Sequence, residues 1–225
     1  MTFVLPEHHP RLLHLTPYLR GDSLAAIALA GRLRRRGLVW GIDQNAVADV
    51  DDVSWITHWP EYRKQYPYVA TGEFRGRGAL RREVRIPVPS SWPRKLWDLH
   101  SHQVERLRSA QVGGRRPRRA RVHMLRALER DVPLMIEVKH SPAYRHRAAW
   151  VKLAQDRAAV GARRVGIMTL QTQWPDDEAC LEVLEHAVEA EFPVALLPRA
   201  PRPAGWSRWV MLGVRKWGRW RAVRR

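Results

Sequence analysis

Short apolar runs alternate with stretches of helical period along much of this chain. Residues 11–16 form a brief apolar run ending near His14. Leu24, Ile27, Ala28 and Leu29 then share one face of a helix predicted over 24–36. Asp22 and Ser23 precede it as N-cap residues, Arg32, Arg34, Arg35 and Arg36 crowd its end, and Gly37 stops it. Strands are predicted over 38–45 and 53–58. After a Pro- and Gly-rich region, helices are predicted over 97–108 and 122–130. The alternation then becomes regular: a strand at 133–139, a helix at 148–160 closed by Gly161, a strand at 164–170, a helix at 177–191 and a strand at 193–197. Residues 209–214 offer one further strand. Alternating strands and helices predict an α/β fold with a parallel sheet.

The chain is organised around Pro133-Leu134-Met135-Ile136-Glu137-Val138-Lys139. A short apolar run of this kind reads as a buried strand. Side chains two apart on a strand share a face, so Glu137 and Lys139 project together from its end. Charges in such a place are paired or bind a metal. An ordinary salt bridge at a strand end accounts for the pair as well as a functional site does.

Charge changes the picture more than composition does. The 225 residues are 45% hydrophobic, enough for a sizeable core, yet the formal net charge is +18. That charge predicts attraction to nucleic acid, acidic membrane surfaces or phosphorylated substrates. Basic residues concentrate between Arg63 and Arg130 and again after Arg199, whereas 176–191 is acidic. The run Arg115-Arg116-Pro117-Arg118-Arg119 reads as a charged loop, either merely solvated or a polyanion site. Cys180 is the only cysteine, which suits a reducing compartment, and neither a membrane span nor a signal peptide is visible. The expectation is a cytoplasmic protein. Trp206, Trp209, Trp217 and Trp220 stud a basic tail; packing is the expectation for the first two.

Polar, chemically able residues stand at several strand ends. His14 follows the first apolar run, Asp43 and Asn45 share one face of the second, His58 ends the third, and Glu137 and Lys139 end the central one. In a (β/α) barrel such ends meet at one mouth, where chemistry is done. Two carboxylates and an amide oxygen suit a hard cation such as Mg²⁺ or Ca²⁺. Two histidines can act as general base and acid, and Lys with Arg can hold a phosphate. These are the parts of metal-assisted phosphodiester hydrolysis.

The block from Ile42-Asp43-Gln44-Asn45 to Val53-Ser54-Trp55-Ile56-Thr57-His58 resembles, without a gap, a block of the glycerophosphodiester phosphodiesterases. The resemblance places Asp43 on that family's first Glu, Asn45 on its Asp, Asp51 on the Asp of its Asp-Gly turn and His58 on its second catalytic His. His14 is similar to its first catalytic His, and 21–27 resemble the start of the helix that follows. Ile136-Glu137-Val138-Lys139 resembles the third metal ligand and its partner Lys. His58-Trp59-Pro60 is similar to the form in phage-encoded members. The resemblance implies a TIM-like (β/α) barrel, incomplete because few strands follow Lys139. It also implies a phosphodiesterase acting on a glycerophosphodiester or related substrate of lipid metabolism. Catalysis would fall to His14, His58 and Lys139, with the metal on Asp43, Asn45 and Glu137 and the phosphate on Lys139; Arg20, close to His14 in sequence, is the candidate substitute for the family's phosphate-binding Arg, which this chain lacks. Residues 1–205 would form the barrel domain, interrupted by a basic insertion at about 61–121, with 206–225 as a tail.

Departures from the pattern leave two other readings open. Leu15 stands where the family has Arg, Asn45 is neutral, and Trp59 replaces an Asp. Fewer anionic ligands weaken cation binding, and this favours a catalytically inactive relative that binds polyanions. An Mg²⁺-dependent nuclease, with Glu137 and Lys139 joined by an upstream acid such as Asp131, is the other alternative.

Overall fold

In the computed structural model, residues 11–13, 23–58, 60–110, 115–170, 173–197 and 214–216 are described. The expected His14, Arg20, Trp206, Trp209, Trp217 and Trp220 lie outside them. In chain order the elements are β1 (Arg11–Leu13), α1 (Leu24–Arg35), β2 (Gly41–Ala48), β3 (Ser54–Ile56), β4 (Tyr68–Arg75), β5 (Arg82–Pro87), α2 (Ser101–Arg106), β6 (Leu107–Arg108), β7 (Arg118–Arg119), α3 (Ala120–Glu129), β8 (Leu134–Val138), α4 (Arg147–Ala159), β9 (Val165–Leu170), α5 (Asp177–Glu189), β10 (Val194–Leu197) and β11 (Val214–Lys216).

The main sheet runs β10-β9-β8-β2-β1-β11. The first five of these are parallel to one another, and β11 pairs antiparallel with β1. Closure into a barrel is not seen among the described residues. Helices α1, α3, α4 and α5 cover one face. Ala26, Ile27, Met124, Trp150, Leu153, Cys180 and Val183 form a single core there with Ile42, Ala46, Leu134, Ile136, Val138, Val165 and Ile167. Every residue of β2 and β8 is buried, as expected of parallel strands covered on both faces.

Local signals account for the helix limits. Ser23 Oγ accepts the Ala26 amide at 3.2 Å, and three arginines complement the last turn of α1. Gly37 then turns the chain at φ 68, a conformation that favours glycine. Asp176 caps α5 by accepting the Ala179 amide at 2.7 Å, and Asp177 and Glu178 occupy its first turn. Pairing shifts β2 three residues beyond the expected 38–45, because its ladder with β8 begins at Ile42 and Leu134. Gly41 at its start lies so close to β8 that a Cβ would fall 2.5 Å from the Pro133 carbonyl oxygen.

Two expectations are corrected. β3 runs antiparallel to β2 in a hairpin, so the 53–58 segment is not another parallel strand. The expected helix over 97–108 is only the six residues of α2, followed at once by β6. The segment 61–121, whose Pro and Gly content marks it as irregular in part, also carries structure that the sequence pattern did not signal. It carries a three-stranded antiparallel sheet, β5-β4-β6, and a core of its own. Tyr62, Tyr66, Val69, Val88, Leu96, Leu99, Val104 and Leu107 pack there with Val47, Val53 and Trp55. Val47 belongs to the face of β2 turned away from the helices. The inserted segment therefore covers that face at its C-terminal end.

Candidate active site

Alternation along β2 sends Ile42, Gln44 and Ala46 toward the helices and Asp43, Asn45 and Val47 the other way. Register then decides which residues of β8 join them. Asn45 is the direct partner of Glu137, and Asp43 that of Met135. Neighbouring parallel strands place register partners on the same face, so Asp43, Asn45 and Glu137 share one surface and Lys139 follows one pleat later. All three oxygen donors are buried: Asp43 is 4% exposed, Asn45 2% and Glu137 1%. Across β8, Gly166 leaves room for Met135, whose sulfur would lie 2.7 Å from any Cβ added there.

Glu137 is held by its neighbours. Its Oε1 accepts Lys139 Nζ at 2.5 Å and Gln173 Nε2 at 2.9 Å. The Lys139 amide donates to the Ala46 carbonyl at 2.9 Å, which extends the β2–β8 ladder past its last pair. A charged pair this deep is stable only when both partners are present; removing one leaves an uncompensated buried charge.

The hairpin returns His58 toward the donors. The Thr57 amide donates to the Asn45 carbonyl at 2.9 Å, so His58 follows a residue anchored to the donor strand. Of the expected site residues, Asp43, Asn45, Glu137 and Lys139 are brought together on adjacent strands, and His58 lies one residue beyond a bond to them. His14 and Arg20 lie outside the described residues.

Several residues were not anticipated. Gln44, between the two donors of β2, faces the helices and is fully buried. Its Nε2 donates to the Ser23 carbonyl at 3.1 Å, and its Oε1 lies 2.7 Å from His123 Nδ1 on α3. The donor strand is thereby tied to two helices. Burial pushes the His123 imidazole down to about 3. Asp49, fully buried just beyond β2, accepts from the Asp51 and Val53 amides, from Trp55 Nε1 at 2.7 Å and from Ser101 Oγ at 2.6 Å. It fixes the β2–β3 turn to α2. His140 follows Lys139 and stands between the rings of Trp97 and Trp174, with centroids 5.6 and 5.3 Å away. Burial, then Arg145 and Lys95, hold its pKa below the ordinary histidine value. Only His140 carried a sequence signal, its place beside Lys139.

Two findings bear on the alternatives. Asp131 precedes β8 at the end opposite Glu137, with a 73% exposed side chain paired to Arg34 and Arg164. It is not placed to share a cation with Glu137. Among the described residues no group of three or more His, Cys, Asp and Glu side chains could hold a metal. Any cation here would depend on the Asn45 amide as its third donor. Oxygen-only donors of this kind fit Mg²⁺ or Ca²⁺ in type.

No family model matches the chain, and no curated protein does either. Three solved structures it is similar to are phosphodiesterases by description. One, from Oleispira antarctica, is in complex with the product sn-glycerol-3-phosphate. It shares 11% identity and a TM-score of 0.47, over 84% of this chain and 64% of its own. This chain thus spans less than two thirds of that protein. A Silicibacter pomeroyi protein assigned as a glycerophosphoryl diester phosphodiesterase shares 16% identity at TM-score 0.48, over 89% of this chain and 69% of its own. A glycerophosphodiester phosphodiesterase from Agrobacterium tumefaciens shares 11% at 0.39, over 85% and 86%.

Proposed function

We propose that this protein is a divergent glycerophosphodiester phosphodiesterase-like enzyme that hydrolyses phosphodiesters with a divalent cation. The observation that carries this reading is the register of β2 against β8, which puts Asp43, Asn45 and Glu137 on one buried surface with Lys139 beside them. The ungapped sequence block from Ile42 to His58 supports it independently.

In this reading Asp43, Asn45 and Glu137 hold Mg²⁺ or Ca²⁺, which when bound would neutralise the phosphate oxygens of the diester. Lys139 keeps Glu137 oriented and presents an ammonium to the charge that develops on the phosphoryl group. His58 and His14 divide the proton transfers: one takes the proton of the attacking group, water or a hydroxyl of the substrate, and the other gives one to the departing alcohol. Arg20 supplies a guanidinium to the phosphate in place of the family's missing Arg. In this reading the fold is an incomplete TIM-like (β/α) barrel over 1–205, with a basic insertion at about 61–121 and a basic, Trp-rich tail at 206–225.

The test is release of p-nitrophenolate from bis(p-nitrophenyl) phosphate with Mg²⁺, Ca²⁺ or Mn²⁺ against EDTA. Wild type releases it only with metal, and Glu137→Gln does not. Absence of release with every metal, from protein that melts cooperatively, sinks the enzyme reading and leaves the polyanion-binding relative, which the neutral Asn45 favours.

A further inference from the structure

The β4–β5 hairpin has no place in the candidate site, yet its outer part stands exposed among the described residues. From Gly72 to Arg82 every residue whose side chain is described is exposed. A two-stranded ribbon packed on neither face contributes little to stability. The ladder slips between Ala70 and Phe74, and Gly72 adopts φ 87, which marks a bulge that twists the outer part of the arm.

Charge gives the arm a purpose. Its tip carries Arg75, Arg77, Arg81 and Arg82, against Glu73 as the only acid between Gly72 and Arg82. Arg75 and Arg82 are direct partners across the ladder. Like charges placed opposite each other cost stability, and an anion between them would relieve that cost. Glu83, the next acid, is held at the base of the arm. Arg108 donates to its two carboxylate oxygens at 2.7 Å each, and Arg85 lies 3.7 Å away. With Arg116 nearby, these cations keep its carboxyl below the ordinary range, Arg108 most of all. The Arg81 guanidinium lies 4.4 Å over the Phe74 ring, which positions a cation without neutralising it. The whole inserted segment, 61–121, holds 16 Lys and Arg against five Asp and Glu.

We propose that the β4–β5 arm docks in the major groove of double-stranded DNA, with Arg75, Arg77, Arg81 and Arg82 against its phosphates. Strands about 4.8 Å apart make a ribbon that a groove about 12 Å wide accepts. Guanidinium forks match phosphate oxygens. An anionic membrane is the poorer partner, because the apolar part of the tip is the short Gly78-Ala79-Leu80 turn flanked by Arg77 and Arg81, and the Phe74 ring is covered by Arg81. This inference stands apart from the hydrolytic reading.

The test is binding of the full chain to a short labelled DNA duplex, by fluorescence anisotropy in EDTA over a series of salt concentrations. The arm variant is Arg75→Ser/Arg82→Ser. A charge-matched control is Arg35→Ser/Arg36→Ser at the exposed end of α1. Each phosphate contact contributes about 0.9 to the slope of log K against log salt, so the arm variant should lose about 1.8 of slope and about tenfold or more in affinity. The control should keep the wild-type slope. Arg77→Ser/Arg81→Ser, at the same tip, should behave like the first pair and guards against misfolding of either variant. Equal losses in arm and control variants overturn the proposal. So does wild type that ignores DNA but binds phosphatidylglycerol vesicles.

Discussion

His123 should make this protein acid-sensitive at one identifiable place. Its ring is 1% exposed, and Gln44 fixes its state. The Gln44 amide donates Nε2–H to Ser23, so its oxygen faces Nδ1 of His123, and Nδ1 must carry the proton. Charging the ring would require a second proton on Nε2 within the core, and burial lowers the pKa from 6.5 to about 3. The folded pKa is depressed, so the unfolded chain binds this proton first as pH falls. Stability from this group is full above the unfolded value and declines as pH drops from 6.5 toward 3. One pH unit corresponds to about 1.4 kcal/mol, so the loss between neutrality and about pH 5 is roughly 2 kcal/mol. Urea unfolding at several pH values measures it, with His123→Asn as reference. Asparagine keeps an N–H near the Gln44 oxygen and removes the titration. Wild type should lose about 2 kcal/mol more than the variant over that interval. His140, also depressed, is common to both proteins and cancels. Parallel stability curves for the two would refute the reasoning.

Other outcomes follow from the same packing. Gly41→Ala forces a Cβ against the rigid Pro133 carbonyl and should cost about 1–3 kcal/mol, read from the urea midpoint. Asp49→Ala strands two backbone amides, the Trp55 indole and the Ser101 hydroxyl, and should cost about 3 kcal/mol or more; Asp49→Asn should lose less, and equal losses would contradict the network. Lys139→Arg should not restore the turnover lost in Lys139→Ala, since a planar fork does not replace the compact ammonium on Glu137; stopped assays of p-nitrophenolate release decide it.

Much of the sheet was legible because its signals are local. Ser23 and Gly37 bound α1, Gly161 closes α4 at φ 66, and the two-residue period placed Asp43 with Asn45 and Glu137 with Lys139. What joins those pairs is not local. The sequence offered no register between β2 and β8, nor the reversal of β3, which depends on the Asp49 turn. The inserted segment was illegible for another reason. Its core takes Tyr62 and Leu96 from single turns of 3-10 helix and Tyr66 and Leu99 from the loops that follow them, so no period accumulates. Gln44 and His123 lie 79 residues apart, and a polar pair at that distance leaves no trace in either neighbourhood.

The pairing of Asn45 with Glu137 has a consequence for how the protein acquires its site. The two residues are 92 positions apart, so their strands can meet only after a long loop has been closed. Closing so large a loop from an open chain is entropically costly and slow. The inserted segment shortens the effective distance, because its Tyr- and Leu-rich core can gather most of that loop onto Val47 and Trp55 first. Weakening that core, for example with Leu99→Ala, should then slow refolding and delay the appearance of activity, even though Leu99 is not among the proposed catalytic residues.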